Sequence, residues 1–288
     1  MSLFDRLVDT ALQSQNDLGV LRPVVEKELL HHDILREMSE AGLLPRLTFI
    51  GGTCLRACYG SPRLSEDLDF SGGVDFKRED LQALGQVLVD RLAVRYDLPV
   101  NVSEPKQSRS NVSTWKLTVE TRPGSRHLPA QRIHIDIRAL SSHDARPMML
   151  RNMYGVDMGT SGLILQAESR EEILADKVIA FAFRQNRMKN RDLWDMGWLV
   201  QQGVELPAQL IPAKIADHHR DKKAFEESVR SRLGQLNNQE AYREDFLKEM
   251  HRFLPVKTVR DTLEHSGYWT WLLSVVEDLT QRAIKAAR

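Results

Sequence analysis

Residues 47–71 read LTFIGGTCLRACYGSPRLSEDLDFS, and this stretch decides the fold. Leu47 to Ile50 is a short apolar run closed by Gly51 and Gly52, the pattern of a strand entering a tight turn. Glycine has no Cβ, so a Gly pair lets the backbone approach a bulky group. Thr53 is predicted to cap a short helix whose free N–H groups favour an anion. After a loop comes Asp67-Leu68-Asp69-Phe70. Strand residues two apart share a face, so Asp67 and Asp69 point one way and Leu68 and Phe70 point to the core.

Two carboxylates on one strand face disfavour double ionisation unless a cation neutralises them. Mg²⁺ takes oxygen ligands, usually one or two carboxylates together with substrate phosphates. A turn that cradles phosphate, followed by a strand that holds Mg²⁺, points to nucleotide chemistry. The string Gly51-Gly52-Thr53 … Arg63-x-Ser65-x-Asp67-Leu68-Asp69-Phe70 resembles the signature of the DNA polymerase β-like nucleotidyltransferases. Within them it resembles the AbiEii/AbiGii toxins of type IV toxin–antitoxin and abortive-infection systems. Fourteen residues separate Gly52 from Asp67, slightly more than the general superfamily spacer and a better fit to the AbiEii branch.

Composition sets wide bounds. The chain has 288 residues, 42% hydrophobic and 28% charged, enough for one large or two ordinary domains. It contains no apolar run of about 18 residues and begins MSLFDRLVDT, which lacks a signal-peptide pattern. A cytoplasmic protein with no membrane span is expected. With 40 basic and 40 acidic side chains, nucleic-acid binding would need a local basic patch. Cys54 and Cys58 lack the further ligands that zinc needs and read as buried free thiols. His31 and His32 are adjacent, share no face, and read as surface or partly buried.

Periodicity divides the chain near residue 168. Residues 3–15, 20–41 and 78–96 carry helical patterns, the second with a stripe through Val25, Leu29 and Ile34. Val112 to Glu120 and Arg132 to Arg138 alternate as strands around the turn-rich segment 121–131, and are expected as an antiparallel pair added to the catalytic sheet. Ile133, Ile135 and Ile137 form the apolar face of the second strand; Arg132, His134, Asp136 and Arg138 form the polar one. Residues 141–162 look irregular, and Leu163–Leu165 reads as an edge strand. Beyond Ser169 the pattern is helical: 170–187, 190–202, 207–218, 221–235, 238–252 and 257–287. The expected fold is α+β: a mixed or antiparallel nucleotidyltransferase sheet with flanking helices in 1–168, then a helical domain in 169–288 contributing Lys and Asp to the active site.

Asp136 is the natural third carboxylate. The superfamily resemblance implies that it binds metal and helps deprotonate the attacking hydroxyl; the alternative is a surface pair with Arg132 or Arg138. Lys177 lies within the apolar stripe Ile173, Leu174, Val178 and Ile179, where a lysine needs an anion or a route to solvent. Ala175-Asp176-Lys177 and Arg191-Asp192-x-x-Asp195 resemble later AbiEii motifs, in which the lysine meets nucleotide phosphates and the aspartate organises the site. Arg191 and Asp195 are spaced to pair on a helix. Trp194 and Trp198 read as core before base-stacking platform. Arg56 and Arg63 either steer the triphosphate or pair with Asp67 or Asp69, and Ser65 either bonds a phosphate oxygen or caps the strand entry. Arg184, Arg187, Lys189 and Arg191 form a basic cluster, expected to dock the acceptor; the basic tail Arg282 to Arg288 reads as a solvated end.

The resemblance thus implies a Mg²⁺-dependent nucleotidyltransferase using a nucleoside triphosphate. Asp67, Asp69 and Asp136 would hold metal. Gly51, Gly52, Thr53, Arg63, Ser65 and Lys177 would bind phosphates, and Asp192 and Asp195 would support catalysis. It also implies an RNA acceptor, tRNA first, and a DNA-binding antitoxin encoded nearby. The competing readings are nucleotide transfer to a protein side chain and a non-catalytic nucleotide-binding module.

Overall fold

A computed structural model describes residues 2–14, 18, 21–106, 111–123, 129–184, 187–237 and 240–287. The chain forms two compact units, 1–168 and 169–288.

The first unit is built on a seven-stranded mixed sheet. Its strands are β1 (Thr48–Ile50), β2 (Leu68–Ser71), β3 (Val100–Ser103), β4 (Val112–Val119), β5 (Gln131–Arg138), β6 (Ala145–Met149) and β7 (Ile164–Glu168), in the order β3-β4-β5-β2-β1-β7-β6. β1 runs antiparallel to β2, while β2–β5 and β1–β7 are parallel. The expected β4–β5 antiparallel pair is present, with Thr114 opposite Asp136. Leu68, Phe70, Ile133, Ile135, Ile137, Trp115 and Leu117 are all buried, so one face of three neighbouring strands makes a continuous apolar layer.

Among the described residues this unit has four α-helices: α1 (Leu3–Ser14), α2 (Arg22–Glu40), α3 (Gly51–Ala57) and α4 (Leu84–Tyr96). Pro23 sits in the first turn of α2, where its missing N–H costs nothing. α2 packs against α1, α4 and β5. It is buried almost all round, so His31 and His32 are both interior, against expectation. Burial lowers the pKa of each, His32 to about 4. The helix expected over 78–96 is a 3₁₀ turn at Arg78–Leu81 followed by α4. Residues 124–128 of the turn-rich segment lie outside the described residues.

Two strand readings need correction. Segment 141–162 contains β6, and β7 is not an edge strand because β1 and β6 flank it. β6 reads ARPMM and is mostly exposed, so it has no alternation to detect.

The second unit is helical: α5 (Arg170–Phe183), α6 (Asn190–Gln201), α7 (Ile211–Asp217), α8 (Lys222–Asn237), α9 (Glu240–Met250), α10 (Val256–Asp261) and α11 (Tyr268–Ala286). Ser169 caps α5, accepting the Glu172 backbone N–H at 3.0 Å. α5 is described to Phe183; residues 185 and 186 of the expected 170–187 helix lie outside the described residues. The expected helix 257–287 is two, because the chain turns through His265–Gly267 between α10 and α11. α6 packs against α5, α9 and α11, and Trp194 and Trp198 are buried core residues.

Candidate active site

β1 delivers the chain to Gly51, whose φ of +76° is a left-handed conformation that glycine adopts without steric cost. α3 begins there with Ile50 at the N-cap and no side-chain cap, so Thr53 is not the capping residue expected. Its hydroxyl is instead turned inward, 2.5 Å from Ser65 Oγ and bonded to the Asp67 carbonyl. Ser65 is itself held from behind: its N–H donates to Glu28 Oε1 at 2.8 Å. Glu28 also accepts from Arg56 Nε at 3.0 Å and from the Tyr154 hydroxyl. Arg56 is thus buried against Glu28, away from Asp67 and Asp69. Arg63 is buried and donates to the Leu64 carbonyl at 3.0 Å. Thr53, Arg63 and Ser65 therefore build the wall that fixes the loop into β2, while Gly51 and Gly52 stay partly exposed.

The carboxylates stand on the open face of the sheet. Asp67 Oδ1 accepts the His134 backbone N–H at 3.0 Å, with the His134 ring 3.7 Å away. Asp69 lies opposite Asp136 in the parallel β2–β5 register, and Arg138 stands 3.8 Å from its Oδ1. Asp136 Oδ1 accepts from the Thr114 hydroxyl at 2.6 Å. Burial raises the Asp136 pKa; Thr114 opposes that, and the charges of Asp69 and Asp67 add to it. Asp136 therefore senses the charges of both Asp67 and Asp69. A Cβ placed on Gly51 would stand 3.3 Å from Asp69 Oδ2, so the Gly turn and the acid pair share one small space.

Among the described residues no three His, Cys, Asp or Glu side chains already close on one metal ion. The donor chemistry nonetheless fits a hard cation carried in with phosphate. Asp67 and Asp69 are acceptor-only oxygen donors, their side chains 40% and 28% exposed, and Mg²⁺ needs only one or two such ligands from protein.

The second unit holds a separate ionic cluster. Lys177 Nζ lies 2.6 Å from Asp192 Oδ1, and Arg184 Nη2 is 2.8 Å from the other Asp192 oxygen. Burial works to raise the Asp192 pKa, but Lys177 and Arg184 prevail and hold it well below the usual carboxylate range. Lys177 therefore finds its anion within its own domain. Lys214, absent from the sequence reading, pairs in the same way with Glu172 at 2.6 Å and Asp176 at 2.7 Å. The basic cluster after α5 is also met by acids. Arg187 lies 3.6 Å from Asp245, and Arg191 lies 3.3 Å from Glu249.

Sequence reasoning missed Glu28 and Thr114. An acid next to Leu29 in the apolar stripe of α2 was the available sign for the first. Register opposite Asp136 was the sign for the second.

The fold resembles that of a known nucleotidyltransferase toxin. MenT4, a nucleotidyltransferase toxin from Mycobacterium tuberculosis H37Rv, superposes with a TM-score of 0.58 over 98% of this chain and 93% of that one, at 16% identity. JHP933 from Helicobacter pylori gives a TM-score of 0.44 at 17% identity, covering 92% and 91% of the two chains. A putative nucleotidyltransferase from H. pylori gives 0.39 at 18%, covering 96% and 95%. No curated protein sequence matches the chain. The family described as nucleotidyl transferase AbiEii toxin, type IV TA system, matches residues 33–266. The chain belongs to that family and is a nucleotidyltransferase of the toxin type. A nucleoside triphosphate substrate and an antitoxin partner go with membership. No helix among the described residues is long and apolar enough to cross a membrane.

Proposed function

We propose that this enzyme transfers a nucleotide from a nucleoside triphosphate to an RNA acceptor, tRNA first, with Mg²⁺ and release of pyrophosphate. The observation that carries the reading is the convergence of Asp67, Asp69 and Asp136 beside the Gly51 turn. Asp67 and Asp69 would hold Mg²⁺, which when bound neutralises phosphate charge as the α-phosphorus is attacked. The partly exposed backbone at Gly51 and Gly52 admits the phosphates. Thr53 and Ser65 keep the Asp67 backbone in place from below. Asp136, oriented by Thr114, takes the proton of the attacking hydroxyl. The new bond joins that oxygen to the α-phosphorus, and the bond to the pyrophosphate oxygen breaks. Lys177, fixed by Asp192 and Asp195, is assigned the neutralisation of triphosphate charge on the family resemblance. Positioning and charge neutralisation supply most of the rate. The RNA acceptor and the antitoxin's DNA-binding character rest on the resemblance as well.

The test is incubation of wild type and Asp69→Asn with each labelled triphosphate, Mg²⁺ and either total tRNA or cell protein. Label in RNA with wild type alone is the expected result. Label in protein would replace the acceptor, and label in neither would leave a nucleotide-binding module.

A further inference from the structure

Helix α8 has two unlike faces. Phe225, Val229 and Leu236 are buried and hold it to the unit. Its other stripe, Ala224, Ser228, Ser231 and Gln235, recurs at helical spacing and is short-chained at the first three positions. Small side chains there leave an open, groove-like cavity of about 610 Å³, in the size range of ligand sites. Ala182 and Phe183, at the end of α5, line it too, and Phe183 is fixed edge-on against Phe225 with ring centroids 5.7 Å apart.

Three arginines line this cavity, Arg184, Arg220 and Arg232, against one glutamate, Glu227. The chain as a whole is charge-balanced, so this excess is local. Arg232 is pinned, donating to the Arg184 carbonyl and, at 3.4 Å, to Gln235. A guanidinium carries five donors, so most of Arg232 remains available. Arg220 is exposed. Arg184 spends one terminal nitrogen on Asp192, and its side chain is 30% exposed.

We propose that this cavity is a phosphate-binding subsite, built from Arg184, Arg220, Arg232, Ser228 and Ser231, separate in its residues from the Asp67–Asp69–Asp136 site. Guanidinium forks match phosphate oxygens two at a time, and the serine hydroxyls add donors. The phosphate belongs either to a polynucleotide backbone or to a free polyphosphate such as that of a nucleotide. Ala182, Phe183 and Ala224 add apolar lining for the sugar or base attached to it.

The test titrates the full-length protein with pyrophosphate and, separately, with a single-stranded RNA dodecamer lacking a terminal phosphate. EDTA is present, so binding at Asp67 and Asp69 through a divalent cation does not contribute and failure of the transfer reaction has no bearing on the result. Arg220→Glu, at an exposed position, should weaken at least one probe tenfold or more without changing Tm. Arg220→Ala with Arg232→Ala should do the same and, where RNA is a probe that is weakened, lower the slope of log affinity against log salt for the dodecamer by about 1.4, at roughly 0.7 per lost contact. A loss confined to pyrophosphate assigns a free polyphosphate; a loss confined to RNA assigns a backbone phosphate; loss of both means that either is accepted. Arg230→Ala, on the same helix and paired with Glu226 at 2.6 Å, should leave both probes unchanged. The proposal is overturned if wild type binds neither probe, if Arg220→Glu binds both as wild type does, or if Arg230→Ala weakens them equally.

Discussion

Lys177 Nζ lies 2.8 Å from Asp195 Oδ2, and Asp195 is fully buried. A lysine in an apolar stripe suggests a group waiting for nucleotide phosphate, whose loss would weaken triphosphate use more than the fold. The contact with Asp195 reverses that order. Removing one partner of a buried pair strands the other charge, at a cost of about 3–5 kcal/mol. Lys177→Met should therefore lower the denaturant midpoint strongly in urea unfolding. Adding Asp195→Asn should recover a large part of the loss. Equal stability of Lys177→Met and wild type would show that the ammonium is not holding the pair.

Asp69→Asn should abolish nucleotide transfer while leaving Tm unchanged or slightly higher. It removes one charge from a set of carboxylates that repel one another and keeps the shape. Asp136→Asn carries a sharper sign. The folded pKa of Asp136 is raised, so the folded protein holds its proton more tightly than the unfolded chain does. Its contribution to stability is favourable at low pH and is lost as pH rises through the raised value. In metal-free protein at pH 7 the asparagine variant should melt above wild type, and the gap should close towards pH 3. A gap that is constant with pH would mean that Asp136 does not titrate abnormally.

What the sequence disclosed follows from how local each signal is. β5 was legible because Ile133, Ile135 and Ile137 alternate with polar residues over an uninterrupted strand. Asp67 and Asp69 were legible because a strand alone fixes their common face. β6 was not, since an exposed edge strand exists through its pairing with β7 and needs no apolar alternation. The inward turn of Thr53 was hidden because its partners Ser65 and Asp67 lie across a loop, where spacing says nothing about direction. Charged positions were the hardest to read. Arg56, Lys177, Arg187 and Arg191 each meet an acid placed by tertiary packing rather than by helix or strand spacing.

The Gly51 turn gives a paired experiment. Alanine in the left-handed region costs about 1–2 kcal/mol wherever it is placed. At Gly51 its methyl would also press on Asp69 Oδ2 at 3.3 Å. Gly42 has a similar φ of +69° with nothing within 4 Å of a Cβ. Gly51→Ala and Gly42→Ala should lower stability by similar amounts, yet only Gly51→Ala should cut the transfer rate, by tenfold or more. Equal rates in the two variants would separate the turn from the carboxylate site.

The interior histidines of α2 predict an acid limit on the fold. His32 is buried, with Nδ1 3.1 Å from Thr160 Oγ1. Its pKa falls from 6.5 to about 4: burial is the main cause, Glu28 opposes it, and His31 and Arg56 add to it. Between these values the unfolded chain binds a proton that the folded chain refuses. Stability is therefore unaffected by His32 above about pH 6.5, declines as pH falls towards 4, and levels off below that. At about 1.4 kcal/mol per pH unit the decline from this one group is roughly 3 kcal/mol. His31, whose pKa is lowered by burial as well, adds to the same slope. His32→Gln keeps a polar partner for Thr160 and cannot take up a proton. Its stability relative to wild type should rise by roughly 3 kcal/mol between pH 7 and pH 4, as read from urea midpoints at each pH. Carboxylates titrate in both proteins and cancel in that difference. If the two pH curves run parallel, His32 is protonated in the fold as readily as in the unfolded chain.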